Sequence, residues 1–563
     1  MGDVLEYLVD GTSGLSPGGV EGSCIVAGVC SLGTVGKGYL LGKSSDLAAL
    51  LGVGPLVDRL RDVFAAGGQN PIVIAVPVAG QDGGYITPVE HNGDGPDATA
   101  SGTPAGNADV VAEIVAGGAL GTATYKLSLD GGETYGETTA TPANGQIALG
   151  ETGVTLVLGS GADQVAADTY TLAVRASIGP VAHVGTGADI TVSGTVKAAA
   201  DVQLRIVKGG DRNEGTYQLT LDGGDNWSLV KTIPVDGQIS VGSTGAVISV
   251  PDGMVTGDTY SFELLAPVPT ASGVLAALEQ PLNLYDVEFV YVPGPSDAVD
   301  WAAYGVKADT LWNKHRPTFF LLETRLPYAN EDMDDWAAAM IAERGGYSHR
   351  FVQVCAAFGE ITDSTGATIT RNAAGLLAGR YLAIPVMRAP GRVRDGGISQ
   401  LSLPDTYTEA HQQQLETVGF ATARHYAGLS STYWGDERTL ADATSDYQYV
   451  TVLRVVFKAV RKMRIAALKS MYDEAGDPVV EGNDTGLAYL QANLEAALNV
   501  MKSAVPQELP AFVVTIPSGQ DIVNNGVAVE TQLIGVPIIR NIKLFASYIY
   551  AGSSFDPRLA AAA

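Results

Sequence analysis

Two parts of this chain alternate short, uninterrupted apolar runs with segments whose apolar residues return at helical spacing. In the first part, "SCIVAGVC" (23–30) and "PIVIAVPV" (71–78) have the make-up of strands buried on both faces. Between them Ser44, Ser45 and Asp46 are N-cap residues for the short helix "LAALLG", which Gly52 closes. Pro55 starts a second helix with Leu56, Leu60, Val63 and Phe64 on one face, and Gly67 and Gly68 end it. The second part begins near residue 271. There "SGVLAALEQ" reads as a helix, "DVEFVYVPG" as a strand and 296–313 as a helix. "TFFLLETR" follows as a strand, 330–344 as a helix and "RFVQVCAAF" as a strand. This alternation predicts a mostly parallel or mixed sheet covered by helices, one discontinuous α/β domain over 21–90 and 265–400.

Between those halves the period falls to two and the sequence repeats itself. "TYKLSLDGGETY" (124–135) returns as "TYQLTLDGGDNW" (216–227), and "NGQIALGETGVTLVL" from Asn144 returns as "DGQISVGSTGAVISV" from Asp236, both 92 residues later. "DTYTLAV" from Asp168 returns as "DTYSFEL" from Asp258, and "HNGDGPDATASGT" at His91 returns as "HVGTGADITVSGT" at His183. Alternating runs bounded by Asp-Gly and Asn-Gly turns predict two tandem β-sandwich-like domains, over 91–174 and 175–264. Ser128, Asp130, Gly132 and Thr134 resemble an Asp-box, a hairpin motif in which the Asp side chain ties down its own turn. The second copy has Thr220 for the Ser and Asn226 for the Thr, and ends in Trp227.

Of the 563 residues, 46% are hydrophobic, enough for several cores, and the net charge is −27. A polyanion argues against direct nucleic-acid binding, which needs clustered Lys and Arg. The insertion holds 7 basic and 20 acidic residues, as a solvent-facing decoration would. Cys24, Cys30 and Cys355 form neither a CxxC nor an even framework, and read as small buried hydrophobes in a reducing compartment. No Lys or Arg precedes Lys37, so no signal peptide is expected, and no apolar run is long enough for a membrane-spanning helix. Folding in a cytoplasm follows.

Catalytic chemistry finds no foothold. Gly42-Lys43-Ser44 ends like a phosphate-binding P-loop, but the first glycine of that motif would have to stand at Lys37; Gly36 and Gly38 each miss by one. His91, His183, His315, His349, His411 and His425 form no HxxxH or HExxH pair, and no GxSxG elbow between a strand and a helix is found, so neither catalytic residues, cofactor nor metal are expected. Glu331, Asp332, Asp334 and Asp335 read as the acidic first turn of a helix. The unexpected chemistry is late. "VTVLRVVFKAVRKMRIAALKSMY" (450–472) carries Arg454, Lys458, Arg461, Lys462, Arg464 and Lys469 with no acidic residue. Arg454, Lys458, Arg461 and Lys462 share one side. That side is either a solvated face or an electrostatic seat for an acidic partner. Both chain ends are strand-like: Val4, Leu5, Tyr7 and Leu8 at one end, and Ile542, Leu544, Ala546, Tyr548 and Tyr550 in alternation at the other. Exposed terminal strands are sticky edges unless a sheet accepts them, in the same chain or a neighbour.

Three blocks are similar to the contractile phage tail sheath family: 39–78; 417–463, with Trp434, Gly435, Arg438, Thr439 and Leu440 before a Tyr-rich link into the basic helix; and 512–550. The duplicated insertion lies outside the resemblance. What the resemblance implies is an α/β sheath core, an α+β C-terminal sheath domain over 401–540, and arms over 1–20 and 541–563 that exchange strands with neighbouring subunits. It implies stacked hexameric rings around a tail tube, a helical polymer that contracts to drive the tube through the host envelope. Tail tube, baseplate and tail terminator proteins would be its partners, in a virion tail assembled in the host cytoplasm, with no membrane insertion. Arg454, Lys458, Arg461, Lys462 and Arg464 would then face the tube. The tandem β units leave an alternative, a non-enzymatic surface or adhesion protein.

Overall fold

The computed structural model describes residues 20–329, 331–362, 368–476, 484–553, 555 and 557–560. Its centre is the interrupted α/β unit. The first half supplies β1 (Ser23–Val29), β2 (Tyr39–Leu41), α1 (Leu47–Leu51), α2 (Pro55–Ala66) and β3 (Ile72–Val78). The second half supplies α3 (Ala271–Leu284), β4 (Phe289–Pro295), α4 (Ala298–Asn313), β5 (Phe319–Glu323), α5 (Met333–Arg344) and β6 (Val352–Cys355). These strands order as β2-β3-β1-β4-β5-β6, parallel except for β2, so the second half adds its strands beside β1 as if the insertion were absent. Helices α2 and α6 (Ala374–Ala383) cover one face, α3 and α4 the other, which is why every residue of β1 is buried. Helices α2 and α6 touch backbone to backbone. A Cβ on Gly379 would meet the Val63 carbonyl at 2.4 Å, and one on Gly375 would meet the Asp62 Cβ at 2.9 Å.

The insertion leaves and re-enters through a clasp in which Gly80–Gln81 pairs antiparallel with Val268–Pro269. Each copy is two antiparallel sheets closed on one apolar core. The first copy orders Thr139–Ala140, Thr124–Ser128, Ala108–Ala116, Thr169–Arg175 and Tyr85–Ile86 in one sheet, facing Gln146–Ala148, Val154–Leu158 and Ala98–Gly102. In the second, Ala182–Val184, Thr259–Leu264, Ala200–Lys208, Thr216–Thr220 and Lys231–Thr232 face Thr191–Gly194, Ala246–Ser249 and Gln238–Ser240. The repeated histidines are braces. His91 bridges Asp97 (3.1 Å) and Asp168 (3.2 Å) while stacking on Tyr170, and His183 does the same with Asp189, Asp258 and Tyr260. The Asp-box works as its sequence predicts: Asp130 accepts from Ser128 Oγ (2.6 Å) and from the Thr134 backbone N–H (2.9 Å). Asp222 receives Thr220 and Asn226 in the same way.

The C-terminal part contains α7 (Glu409–Thr417), α8 (Val450–Leu468), α9 (Thr485–Lys502) and a two-stranded ribbon, β7 (Ala511–Thr515) with β8 (Glu530–Ile534). The expected division at 400/401 does not fall at a break in packing. Leu401, Leu415, Phe420, Trp434, Leu440, Val450 and Phe457 belong to the main core, because the 417–441 segment runs alongside β6, bridged at Cys355 and Ala421. A separate small core begins only on the other side of α8, where Val455, Ala459 and Ala466 meet Leu494, Leu498, Met501 and Val514.

Candidate functional site

Helix α8 crosses the N-terminal ends of β4 and β5, and this placement decides the fate of its charges. Arg454 is fully buried, with Nε 2.5 Å from Glu288 Oε1 and Nη2 on the Tyr381 carbonyl at 2.8 Å. Arg461 donates to the carbonyls of Val287 and Pro317, just ahead of β4 and β5, with Asp286 at 3.7 Å. Burial pulls its pKa down against the opposing pull of Asp286 and Glu288. Lys458 pairs with Glu508 at 2.7 Å. The shared side of Arg454, Lys458 and Arg461 therefore faces the protein's own interior, which corrects the expectation of an outward basic stripe. Their partners stand 166 and 50 residues away in sequence for Arg454 and Lys458. Lys462 is half-buried, whereas Arg464 and Lys469 are exposed, beside exposed Ile465, Leu468, Met471 and Tyr472. What remains outward is a mixed basic and apolar tip.

The C-terminal segment is the second feature. After β8 the chain forms no further strand through residue 550. Ile542 (70%), Leu544 (88%), Phe545 (92%) and Tyr548 (81%) stand in solvent, and Ala546 is exposed with them. Among the described residues, intrachain packing, the competing account of this segment, does not cover it. Val4, Leu5, Tyr7 and Leu8 lie outside the described residues.

Where the segment leaves the body, Arg540 is held on three sides. Its Nε lies 3.1 Å from Asp436 Oδ1, its Nη2 2.6 Å from Glu437 Oε1, and its guanidinium 3.6 Å from the Tyr449 ring centroid. Glu437 is buried and also accepts the Thr451 hydroxyl at the start of α8. Burial pushes its pKa up and Arg540 pulls it back. The sequence alone assigns no role to Asp436, Glu437 or Arg540; an Arg just before an apolar terminal run is the signal it offers.

The remaining candidates resolve into local structure. Gly42 donates its N–H to Ser45 Oγ (3.0 Å) and Asp46 caps α1 through Ala49, so the Gly-Lys-Ser loop serves a helix start. Asp332 caps α5, Glu331 pairs with Arg325, and Asp334 meets His411 at 2.7 Å. Among the described residues, no three His, Cys, Asp or Glu side chains group to hold a metal ion, and no helix is long and apolar enough to cross a membrane.

Known proteins give these features a context. The family description "DUF2586, N-terminal domain" matches residues 1–438, and "DUF2586, C-terminal domain" matches 446–553. The chain belongs to the DUF2586 family. This DUF2586 chain is 33% identical over 114 residues to the "Putative tail sheath protein" of Haemophilus phage HP1 (strain HP1c1), a match covering 18% of this chain and 30% of that protein. It thus spans under a third of that relative's length, and over that stretch the resemblance to tail sheath proteins is borne out. Among solved structures, the sheath tail protein of Desulfitobacterium hafniense aligns over 95% of this chain and 100% of its own, at 11% identity and a TM-score of 0.39. That of Listeria innocua aligns over 93% and 97%, at 9% identity and 0.40. The anti-feeding prophage baseplate structure aligns over 52% of this chain and 76% of the other, at 22% identity and 0.37. These likenesses are too distant to carry a role on their own.

Proposed function

We propose that this DUF2586 chain is a structural subunit of a contractile tail sheath, polymerising as stacked hexameric rings around a tail tube and contracting to push it through the host envelope. The observation that carries the reading is the apolar C-terminal segment, which the described residues of its own chain leave uncovered. A row of exposed Ile, Leu, Phe and Tyr is a liability in a free monomer and a resource in a polymer. A fitting acceptor exists in every subunit: the β7–β8 ribbon has no third strand among the described residues, and Val513 and Ile534 are each 48% exposed on it. Strand addition there would supply backbone hydrogen bonds and cover apolar side chains together. Residues 1–20 would form the second arm.

The tube-facing role moves from the shared side of α8 to its tip. Arg464 and Lys469, flanked by Ile465 and Leu468, offer charge and apolar surface to an acidic tube wall. Arg454, Lys458 and Arg461 instead hold α8 to the core. Baseplate and tail terminator proteins would bound the polymer, in a virion tail put together in the host cytoplasm. Contraction would draw on a metastable lattice, with no catalytic step. The test is negative-stain microscopy of the purified chain beside a variant lacking residues 1–20. Tubes or rings from the full chain, lost on truncation, are expected. Monodisperse monomers from both at high concentration would overturn the reading.

A further inference from the structure

The base of the C-terminal arm is fastened in a way that a passive tail does not need. The chain is largely exposed from Ile534 onward, with Ile539 at 79%, yet the Arg540 side chain is only 23% accessible. Its guanidinium spans two carboxylates on consecutive residues, Asp436 at 3.1 Å and Glu437 at 2.6 Å, and its Cζ lies over the Tyr449 ring, 3.6 Å from the centroid. These three residues belong to the segment entering α8. Tyr449 is the N-cap residue of that helix, the Val450 N–H bonds to the Glu437 carbonyl at 2.9 Å, and Thr451 donates to the Glu437 carboxylate. The Glu437 side chain is 1% accessible, so Arg540 is the cation that makes its burial tolerable. A planar fork that stacks and bonds at once fixes a direction as well as a position, which a Lys ammonium does not.

The next residues contrast sharply. From Asn541 to Tyr550 every residue is exposed and none is in a strand. Arg540 is therefore a side chain anchored to the α8 entrance within a run that is otherwise largely exposed from Ile534 to Tyr550. Resting on the proposed polymer, we infer that Arg540 is the positioning residue of the C-terminal arm. It pins the arm's origin to the 436–449 segment so that residues 541–550 leave at a fixed point and heading and meet the same acceptor edge on each neighbouring copy. An arm whose root wanders must pay orientational entropy at each contact, whereas a pinned root raises the effective concentration of donor strand at the acceptor.

The experiment compares four forms of the full chain with wild type: R540A, R540K, the double variant R540A/E437Q, and a truncation ending at residue 540. Sedimentation and negative stain give the concentration at which polymer first appears, and thermal melting of the unassembled chain reports the fold. The double variant removes the buried carboxylate that R540A would strand, so its melting is expected near wild type even where R540A melts early. The pin predicts that the truncation forms no polymer and that R540A and R540A/E437Q raise the onset concentration at least tenfold. R540K, with charge but no fork, should fall between. The wild-type onset in R540A/E437Q, alongside a truncation that cannot assemble, overturns the pin and leaves arm exchange standing. A truncation that assembles as wild type does, or a wild type that never assembles, overturns arm exchange and the pin with it.

Discussion

At the scale of the residue, burial reassigns the charges that the sequence displays. Arg454 and Arg464 sit on one helix with the same formal charge, but one closes an ion pair inside the core and the other faces water. R454A leaves Glu288 buried without its partner and should cost about 3–5 kcal/mol. R464A should stay within about 0.5 kcal/mol. Urea unfolding of both variants checks the pair, and equal losses would contradict the placement of α8. The braces of the first β-domain titrate in opposite senses. Hydrogen bonds from Ser128 and Thr134 hold the Asp130 carboxyl down to about 2. Its contribution is present above the unfolded carboxylate value and is lost as pH falls towards that figure. Burial pulls His91 down, but the carboxylates of Asp97 and Asp168 outweigh it and raise its pKa. That contribution is present below the unfolded His value of about 6.5 and fades as pH rises through the folded one. Hydrogen exchange within 91–174, corrected for intrinsic rate, should therefore show more protection near pH 5.5 than near pH 8. H91Q should remove the difference; a difference that persists in H91Q would assign it elsewhere. None of these pairings was legible beforehand except the Asp-box, whose partners lie within four residues of Asp130. Glu288 and Arg454 stand 166 residues apart, and no local pattern joins them.

At the scale of the element, local chemistry was sufficient. β1, β3, β4, β5 and β6 lie where uninterrupted apolar runs placed them, because a strand covered on both faces has no polar side to show. Asp46 caps α1 where an N-cap was expected, whereas α5 begins at Met333, so Asp332 is its N-cap and only Asp334 and Asp335 fall in the acidic first turn. The terminal segment is the exception. Its alternation of Ile542, Leu544, Ala546 and Tyr548 reads as a strand, yet it forms none here, since a strand needs a neighbour and among the described residues the segment pairs with no edge of its own chain. The insertion, by contrast, is closed on itself. Its two ends meet as neighbouring strands at Gln81 and Val268, so excising 83–266 and joining the ends with a short turn should leave the α/β unit folded. Cooperative melting of the shortened chain is expected. Aggregation without a transition would show that the β-domains brace the core.

At the scale of the whole molecule, the chain combines a rigid core with a segment that core does not seat, and its net charge is −27. Copies of such a chain repel one another at low salt, so assembly should begin at lower protein concentration as ionic strength rises and the screening length falls below about 10 Å. Light scattering across a salt series checks this, and assembly weakened by salt would point to attraction between unlike charges as the driving term. What the sequence could not convey at this scale is which surface meets which, since Asp436, Glu437, Tyr449 and Arg540 come together only in three dimensions. The most direct measurement is a cryo-microscopy reconstruction of the assembled chain at a resolution that traces residues 541–550. The account predicts those residues as a strand against the β7–β8 ribbon of a neighbouring subunit, with Arg540 still on Glu437 of its own. A density that folds them back onto their own subunit, in a polymer otherwise intact, would contradict it.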